Sequence, residues 1–264
     1  MNNNCIEVIG LTYKNIFQDF SVAFEDKKFI TISGPNNCGK TTLTRIISNE
    51  IATPSSVLIY GIRKEDYRVT DLSNIIRSII PTEIEFTQLT IEDELFYQLS
   101  TDIPKEERQK QVKTIAKKFK ITKFLTEPVE KISDEIKIKV QIAIAVINKP
   151  KIILIDDLVP YYTKKELSEI IKIIKQINIE NEITIILNTS DLELTIESDY
   201  LYIINDSKII IEGNPIEVLE KDNIINKAGL NLPFMIDLSV KLRDYDLVKN
   251  IELNMDRMVD NLWK

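Results

Sequence analysis

The chain has 264 residues, 44% of them hydrophobic, and its 41 acids against 34 basic residues give a net charge of -7. That is enough apolar material for one large domain or a domain with an appendage, and the acidic balance argues against a nucleic-acid-binding surface. Histidine is absent, which excludes every mechanism needing an imidazole as base, metal ligand or phosphate contact.

In chain order, Met1-Asn2-Asn3-Asn4 lacks the basic-then-apolar order of a secretory leader, so none is expected. The run Cys5-Ile6-Glu7-Val8-Ile9-Gly10-Leu11 alternates as a strand, and residues 21–25 and 28–33 supply two more around a Glu25-Asp26 turn. Between the first two lies Tyr13, either an aromatic placed to stack on an adenine or a half-buried strand end. The third strand runs into Gly34-Pro35-Asn36-Asn37-Cys38-Gly39-Lys40-Thr41-Thr42, which fits G-x-x-x-x-G-K-[ST], and an apolar run that reads as a helix follows. Strand, loop and helix in that order make a phosphate site, because N–H groups at a helix N-terminus bind anions. In such a loop Gly34 and Gly39 let the backbone turn, Lys40 reaches the β- and γ-phosphates, and the Thr41 hydroxyl ligates magnesium. The two cysteines, Cys5 on a strand and Cys38 in the loop, point to no disulfide and to a reducing, cytoplasmic setting.

Residues 57–61 and 75–80 read as further strands, the second stopped by Pro81. The pattern then turns helical from about residue 82 to 148. Thr90 is a cap followed by first-turn acids, 105–120 is a charged amphipathic helix, and 133–148 is a helix with Ile136, Val140, Ile144 and Ile147 on one face. Residues 151–157 form a buried strand ending in Asp156-Asp157. A helix over 163–179, a strand over 183–187, a short helix over 192–197 and a hairpin turning about Asn205-Asp206 complete an α/β core. After Gly229, the series Leu238, Leu242, Leu247, Ile251, Met255, Met258 and Leu262 predicts two amphipathic tail helices. No apolar run approaches the roughly 18 residues of a membrane span.

Asp156 at the end of a hydrophobic strand is the expected second half of a nucleotide site, a carboxylate that holds magnesium. With a helical insert between the halves, residues 5–228 resemble the ATP-binding subunit of an ABC transporter. Thr90-Ile91-Glu92-Asp93-Glu94, Ile211-Glu212-Gly213-Asn214-Pro215 and Gly229-Leu230-Asn231-Leu232-Pro233-Phe234 are most similar to an ATPase of an energy-coupling factor transporter. The resemblance implies a P-loop ABC-type domain over 1–228, with a helical subdomain at about 82–148 and a helical extension over 229–264. It also implies Mg-ATP as cofactor, a second ABC ATPase and a membrane-embedded subunit as partners, and a peripheral position at the cytoplasmic face of the membrane. Two such subunits sandwich two ATPs, each ATP touching one phosphate loop and the partner's signature motif.

Against that family pattern the hydrolysis half departs. The signature L-S-G-G-Q is replaced by Ile132-Ser133-Asp134-Glu135-Ile136, which puts acids where glycines approach the partner's γ-phosphate. No glycine lies between Gly61 and Gly213, so no shift of alignment restores it. In the alternative reading Ser133 caps a helix and the two acids complement its dipole. The family's catalytic Glu is Asp157, one methylene shorter, and the switch histidine falls on Ser190. The aspartate expected near Thr163 is missing, and Ile80-Pro81 stands where a coupling glutamine belongs, the first glutamine of that region being Gln88. The expected function is therefore ATP binding within a transporter ATPase pair, with weak hydrolysis of its own. The alternatives are a regulatory pseudo-ATPase and a soluble ABC protein outside transport.

Overall fold

The computed structural model describes residues 3–53 and 56–263. Met1 and Asn2, on which the leader reading partly rests, lie outside them. The chain opens with β1 (Asn4–Tyr13) and β2 (Phe17–Glu25), an antiparallel pair whose register shifts twice between Val8 and Tyr13. The second strand starts four residues earlier than the pattern suggested. Phe17 and Phe20 are buried like Val22 and Phe24, but the irregular pairing hides their alternation. β3 (Phe29–Ser33) and α1 (Lys40–Ile47) bracket the glycine loop. Then come β4 (Val57–Ile59), β5 (Ile62–Arg63), α2 (Val69–Ile75) and β6 (Ile76–Ile79).

Three helices follow: α3 (Ile91–Tyr97), α4 (Lys105–Lys118) and α5 (Asp134–Ile147). β7 (Ile152–Ile155), α6 (Lys164–Asn181) and β8 (Thr184–Thr189) return the chain to the sheet. Residues 192–197 form the expected short helix, of the 3₁₀ type. β9 (Tyr200–Asn205) and β10 (Lys208–Gly213) form the hairpin, with Asp206 and Ser207 both at positive φ. That centres the turn one residue beyond the expected Asn205-Asp206, as a tight hairpin turn with two left-handed residues requires. The chain ends with α7 (Pro215–Leu219), α8 (Asp222–Lys227), α9 (Phe234–Asp244) and α10 (Met255–Leu262).

The main sheet has the order β10-β9-β3-β8-β7-β6, and a smaller antiparallel sheet has the order β2-β1-β4-β5. All pairings of the main sheet are parallel except β9 with β10. α1 lies between the two sheets: Leu43, Ile46 and Ile47 join one cluster with Ile6, Val8 and Phe24 and with Ile30, Ile32 and Leu154. The other face of the main sheet packs on the helices, so Leu95, Val112, Phe119 and Ile138 share a cluster with Ile153, Ile155, Ile185 and Leu187. Covered on both faces, β3, β7 and β8 are buried at every position, β7 as a continuous apolar run and the other two with a few buried polar residues. Their carboxyl ends emerge together, since β8 lies between β3 and β7. That edge is where ligands bind in open α/β sheets.

The tail is helical, and of the expected series Met258 is buried and Leu238, Leu242 and Ile251 are half-buried. Ile236 and Val240 of α9 pack with Leu201, Ile203 and Leu219, whereas Leu247, Met255 and Leu262 are exposed. In α9 the most buried side is the one that meets β9. No helix among the described residues is long and apolar enough to cross a membrane.

Candidate nucleotide-binding site

The loop after β3 has the conformation its sequence demands. A Cβ on Gly34 would collide with the Ile204 carbonyl oxygen. Gly39 has φ +103, and a Cβ there would meet Ile16 and Phe17 at 2.7 Å. Both positions therefore exclude side chains, the second through backbone conformation as well. Asn37 sits at φ 65, a left-handed position that asparagine tolerates. Lys40, 9% exposed, turns its ammonium back under the loop and donates to the carbonyls of Gly34 at 2.7 Å and Pro35 at 3.0 Å. This fixes a cation at the centre of the loop. Cys38 packs against the same core cluster as Tyr13 and Ile16, with its sulfur 3.6 Å from the Lys40 ammonium. Both cysteines are free thiols, and burial pushes Cys5 up to about 12.

Tyr13 ends β1 and is half-buried, with the Lys14 ammonium 5.1 Å from the centre of its ring. The turn it opens carries Ile16 and Phe17 onto Gly39, so the aromatic and the loop belong to one neighbourhood.

The acids at the end of β7 reach the loop from the next-but-one strand. Thr41 Oγ1 donates to Asp156 Oδ2 at 2.7 Å. The other carboxylate oxygen, Oδ1, accepts from Asn188 Nδ2 at 2.9 Å, and the same nitrogen donates to Thr44 Oγ1 at 2.8 Å. Asp157 points differently: its Oδ1 accepts from the Val159 N–H at 3.1 Å and its Oδ2 from Ser190 Oγ at 3.1 Å. Burial pushes the Asp157 carboxyl above its ordinary value. The Val159 and Ser190 bonds oppose the rise, Asp156 adds to it, and Lys40 opposes it. Thus the structure brings together the loop, Asp156, Asp157 and Ser190. Asn188 and Thr44 were not singled out in the sequence. An asparagine interrupting the run Ile185-Ile186-Leu187 was the available signal, because buried polar groups need a reason.

Thr41 and Asp156 offer a hydroxyl and a carboxylate, the hard oxygen donors that suit magnesium. No group of three or more His, Cys, Asp or Glu able to hold a metal unaided occurs among the described residues. A magnesium held by one or two protein oxygens plus phosphate fits that set.

The acidic replacement of the signature lies at the start of α5. Ser133 occupies the cap position, but its side chain makes no capping hydrogen bond, which corrects the expectation that it caps the helix. Asp134 pairs with Lys137 at 3.0 Å and Glu135 pairs with Lys139, so lysines of the same helix offset both acids. Ile80-Pro81 leads into a single 3₁₀ turn, and the Gln88 N–H donates to Glu94. Thr163 forms a reciprocal capping box with Glu166 at the start of α6.

A cleft of about 340 Å³ lies beside the loop, bounded by Gly34, Pro35, Asn36, Ser190 and Asp191 on one side and Gly229, Leu230 and Asn231 on the other.

The ABC transporter family model matches residues 17–159, more than half of the chain. The chain belongs to that family. It is 30% identical to the energy-coupling factor transporter ATP-binding protein EcfA of Pediococcus pentosaceus, over 96% of this chain and 94% of the relative. That similarity places it among the energy-coupling factor ATPases of the ABC family. Among solved structures, cbiO1 from Clostridium perfringens, part of the ABC transporter complex cbiONQ, superposes with a TM-score of 0.75. It is 22% identical, and the match covers 89% of this chain and 98% of that one. A dimeric ATP-binding cassette in a post-hydrolysis state with ADP and Pi gives a TM-score of 0.70 at 20% identity, covering 80% and 98%. These two likenesses establish the P-loop ABC fold of this ABC ATPase.

Proposed function

We propose that this ABC ATPase binds Mg-ATP as one subunit of a dimeric pair that powers an energy-coupling factor type importer, with slow hydrolysis at its own site. The observation that carries the reading is the Thr41–Asp156 hydrogen bond of 2.7 Å, which joins the phosphate loop and the acid strand in one place. In this reading Gly34 to Thr42 cradle the phosphates, Lys40 meets the β- and γ-oxygens, Thr41 and Asp156 hold the ion, and Tyr13 stacks on the adenine. The ion, when bound, neutralises charge on the phosphate oxygens. Residues 1–228 act as the nucleotide-binding domain, with 82–148 as its helical subdomain and 229–264 as an extension. Pairing is supported by the dimeric cassette among the solved structures, and a membrane-embedded partner by the transporter names of the relatives. The chain would then sit peripherally at the cytoplasmic face of the membrane.

Slow turnover follows from Asp157. Its carboxylate is one methylene short of the family's glutamate and already accepts two hydrogen bonds. A displacement of about 1 Å can cost on the order of 10²-fold in rate. The Ser190–Asp157 bond also favours the second reading, a regulatory subunit that binds ATP without productive turnover.

The test is ATP binding and hydrolysis by this chain alone and by its complex with a co-expressed complete ATPase and membrane subunit. Lys40→Ala is expected to abolish nucleotide binding, because it removes the cation on the phosphates. Asp157→Glu is expected to raise turnover only modestly, since Ser190 remains. Turnover by the wild-type chain equal to that of an intact relative would overturn the slow site. Failure ever to form a membrane complex would overturn the transport role.

A further inference from the structure

We infer that Asn188 is a positioning residue for the metal-holding carboxylate of Asp156, an inference that rests on the Mg-ATP reading above. Parallel pairing sets Ile155 of β7 beside Leu187 of β8, so the next residues lie side by side, Asp156 just past the end of β7 and Asn188 still within β8. Asn188 is 1% exposed and follows three buried apolar residues. Its single amide nitrogen spends both hydrogens, on Asp156 Oδ1 at 2.9 Å and on Thr44 Oγ1 at 2.8 Å. Its amide oxygen is buried with no partner. Reversing the amide would press that oxygen against a carboxylate, so only this orientation serves the acid.

The outcome is that both oxygens of Asp156 are assigned. Oδ1 is tied to the core side by Asn188, and Oδ2 faces the Thr41 hydroxyl. Thr44 lies one helical turn after Thr41 on α1, so Asn188 ties the helix that bears one magnesium ligand to the strand that bears the other. A carboxylate fixed in this way cannot swing its ligand oxygen out of line. Partners behind metal-holding carboxylates act in this manner, and their loss typically weakens metal affinity about 10- to 100-fold.

A purely structural asparagine would give the same hydrogen bonds but not the same magnesium dependence. The experiment titrates Mg²⁺ into the full-length chain at a fixed concentration of a fluorescent ATP analogue, with a parallel nucleotide titration in EDTA. Asn188→Leu is expected to raise the Mg²⁺ concentration for half-maximal binding on the order of 10-fold, with binding in EDTA unchanged. Thr44→Val, an isosteric change that removes the second acceptor, is expected to shift it in the same direction by less, and it decides the matter should Asn188→Leu fail to fold. Unchanged magnesium dependence, or equal losses with and without magnesium, would overturn the inference while leaving the nucleotide site standing. Nucleotide binding by the wild-type chain that ignores magnesium would overturn the Mg-ATP reading and this inference together.

Discussion

Asp157 shows how one side chain can be set against its own charge. Burial pushes its carboxyl above the ordinary 3.8, Val159 and Ser190 donate to it, and the neighbouring Asp156 repels its ionised form. An acid raised in the folded state holds its proton more tightly folded than unfolded. Its contribution to stability is therefore complete below about 3.8 and is lost as pH climbs through the raised folded value. Asp157→Asn keeps the shape and removes the ionisation. It is expected to raise the melting temperature at about pH 7, with the gain shrinking as the pH is brought down toward the carboxylate range. Calorimetry across that range checks it; a gain independent of pH would trace to packing instead. The same residue explains why the site was only partly legible. The loop, Asp156, Asp157 and Ser190 stand in recognisable positions along the chain. The bonds that determine what each can do run between strands, as from Ser190 to Asp157 and Asn188 to Asp156, and no local pattern records them.

Among the elements, those with long uniform signals were readable and the short ones were not. β3, β7 and β8 carry an apolar majority or half and are buried on both faces, and α4, α5 and α6 fill a dozen or more positions with helix-compatible residues. β5, α2, α7 and α8 are too brief to develop a period, and packing rather than sequence settles them. Cap chemistry was also only partly readable, because Ser133 and Thr163 both stand at helix starts and only Thr163 bonds as a cap. Thr163 Oγ1 accepts from the Glu166 N–H, and Glu166 Oε2 accepts from the Thr163 N–H at 2.8 Å. Where the family carries an aspartate, this chain has put a helix-starting device. Thr163→Ala is expected to destabilise the fold by about 1 kcal/mol, the usual cost of losing a hydroxyl cap. Urea denaturation measures that, and magnesium-dependent nucleotide binding is expected to stay intact. Ser133→Ala, which forfeits no cap bond, serves as the matched comparison.

At the scale of the whole molecule, the tail divides into a part that belongs to the core and a part that does not. Leu230, Ile236 and Val240 are buried in the cluster of Leu201, Ile203 and Val218 that covers one face of β9, and Gly229 to Asn231 wall the cleft beside the phosphate loop. Deleting everything from residue 230 would therefore strip buried side chains, each worth roughly 2–5 kcal/mol on truncation, and would confound any question about pairing. α10 is different. Met258 is 1% exposed, while Met255, Val259, Leu262 and Trp263 are exposed, Trp263 at 86%. Removing residues 255–264 leaves the Ser239–Glu252 bonds that tie the segment after α9 back to the middle of that helix. This shorter chain is expected to fold, to bind nucleotide as the full chain does, and to pair less well with a partner ATPase if α10 contributes to the interface. Light scattering of the co-expressed pair, read beside the nucleotide titration, separates the two roles. Pairing equal to that of the full chain would make α10 a cap on its own molecule, whereas lost pairing with intact nucleotide binding would make its apolar side a contact between ATPases.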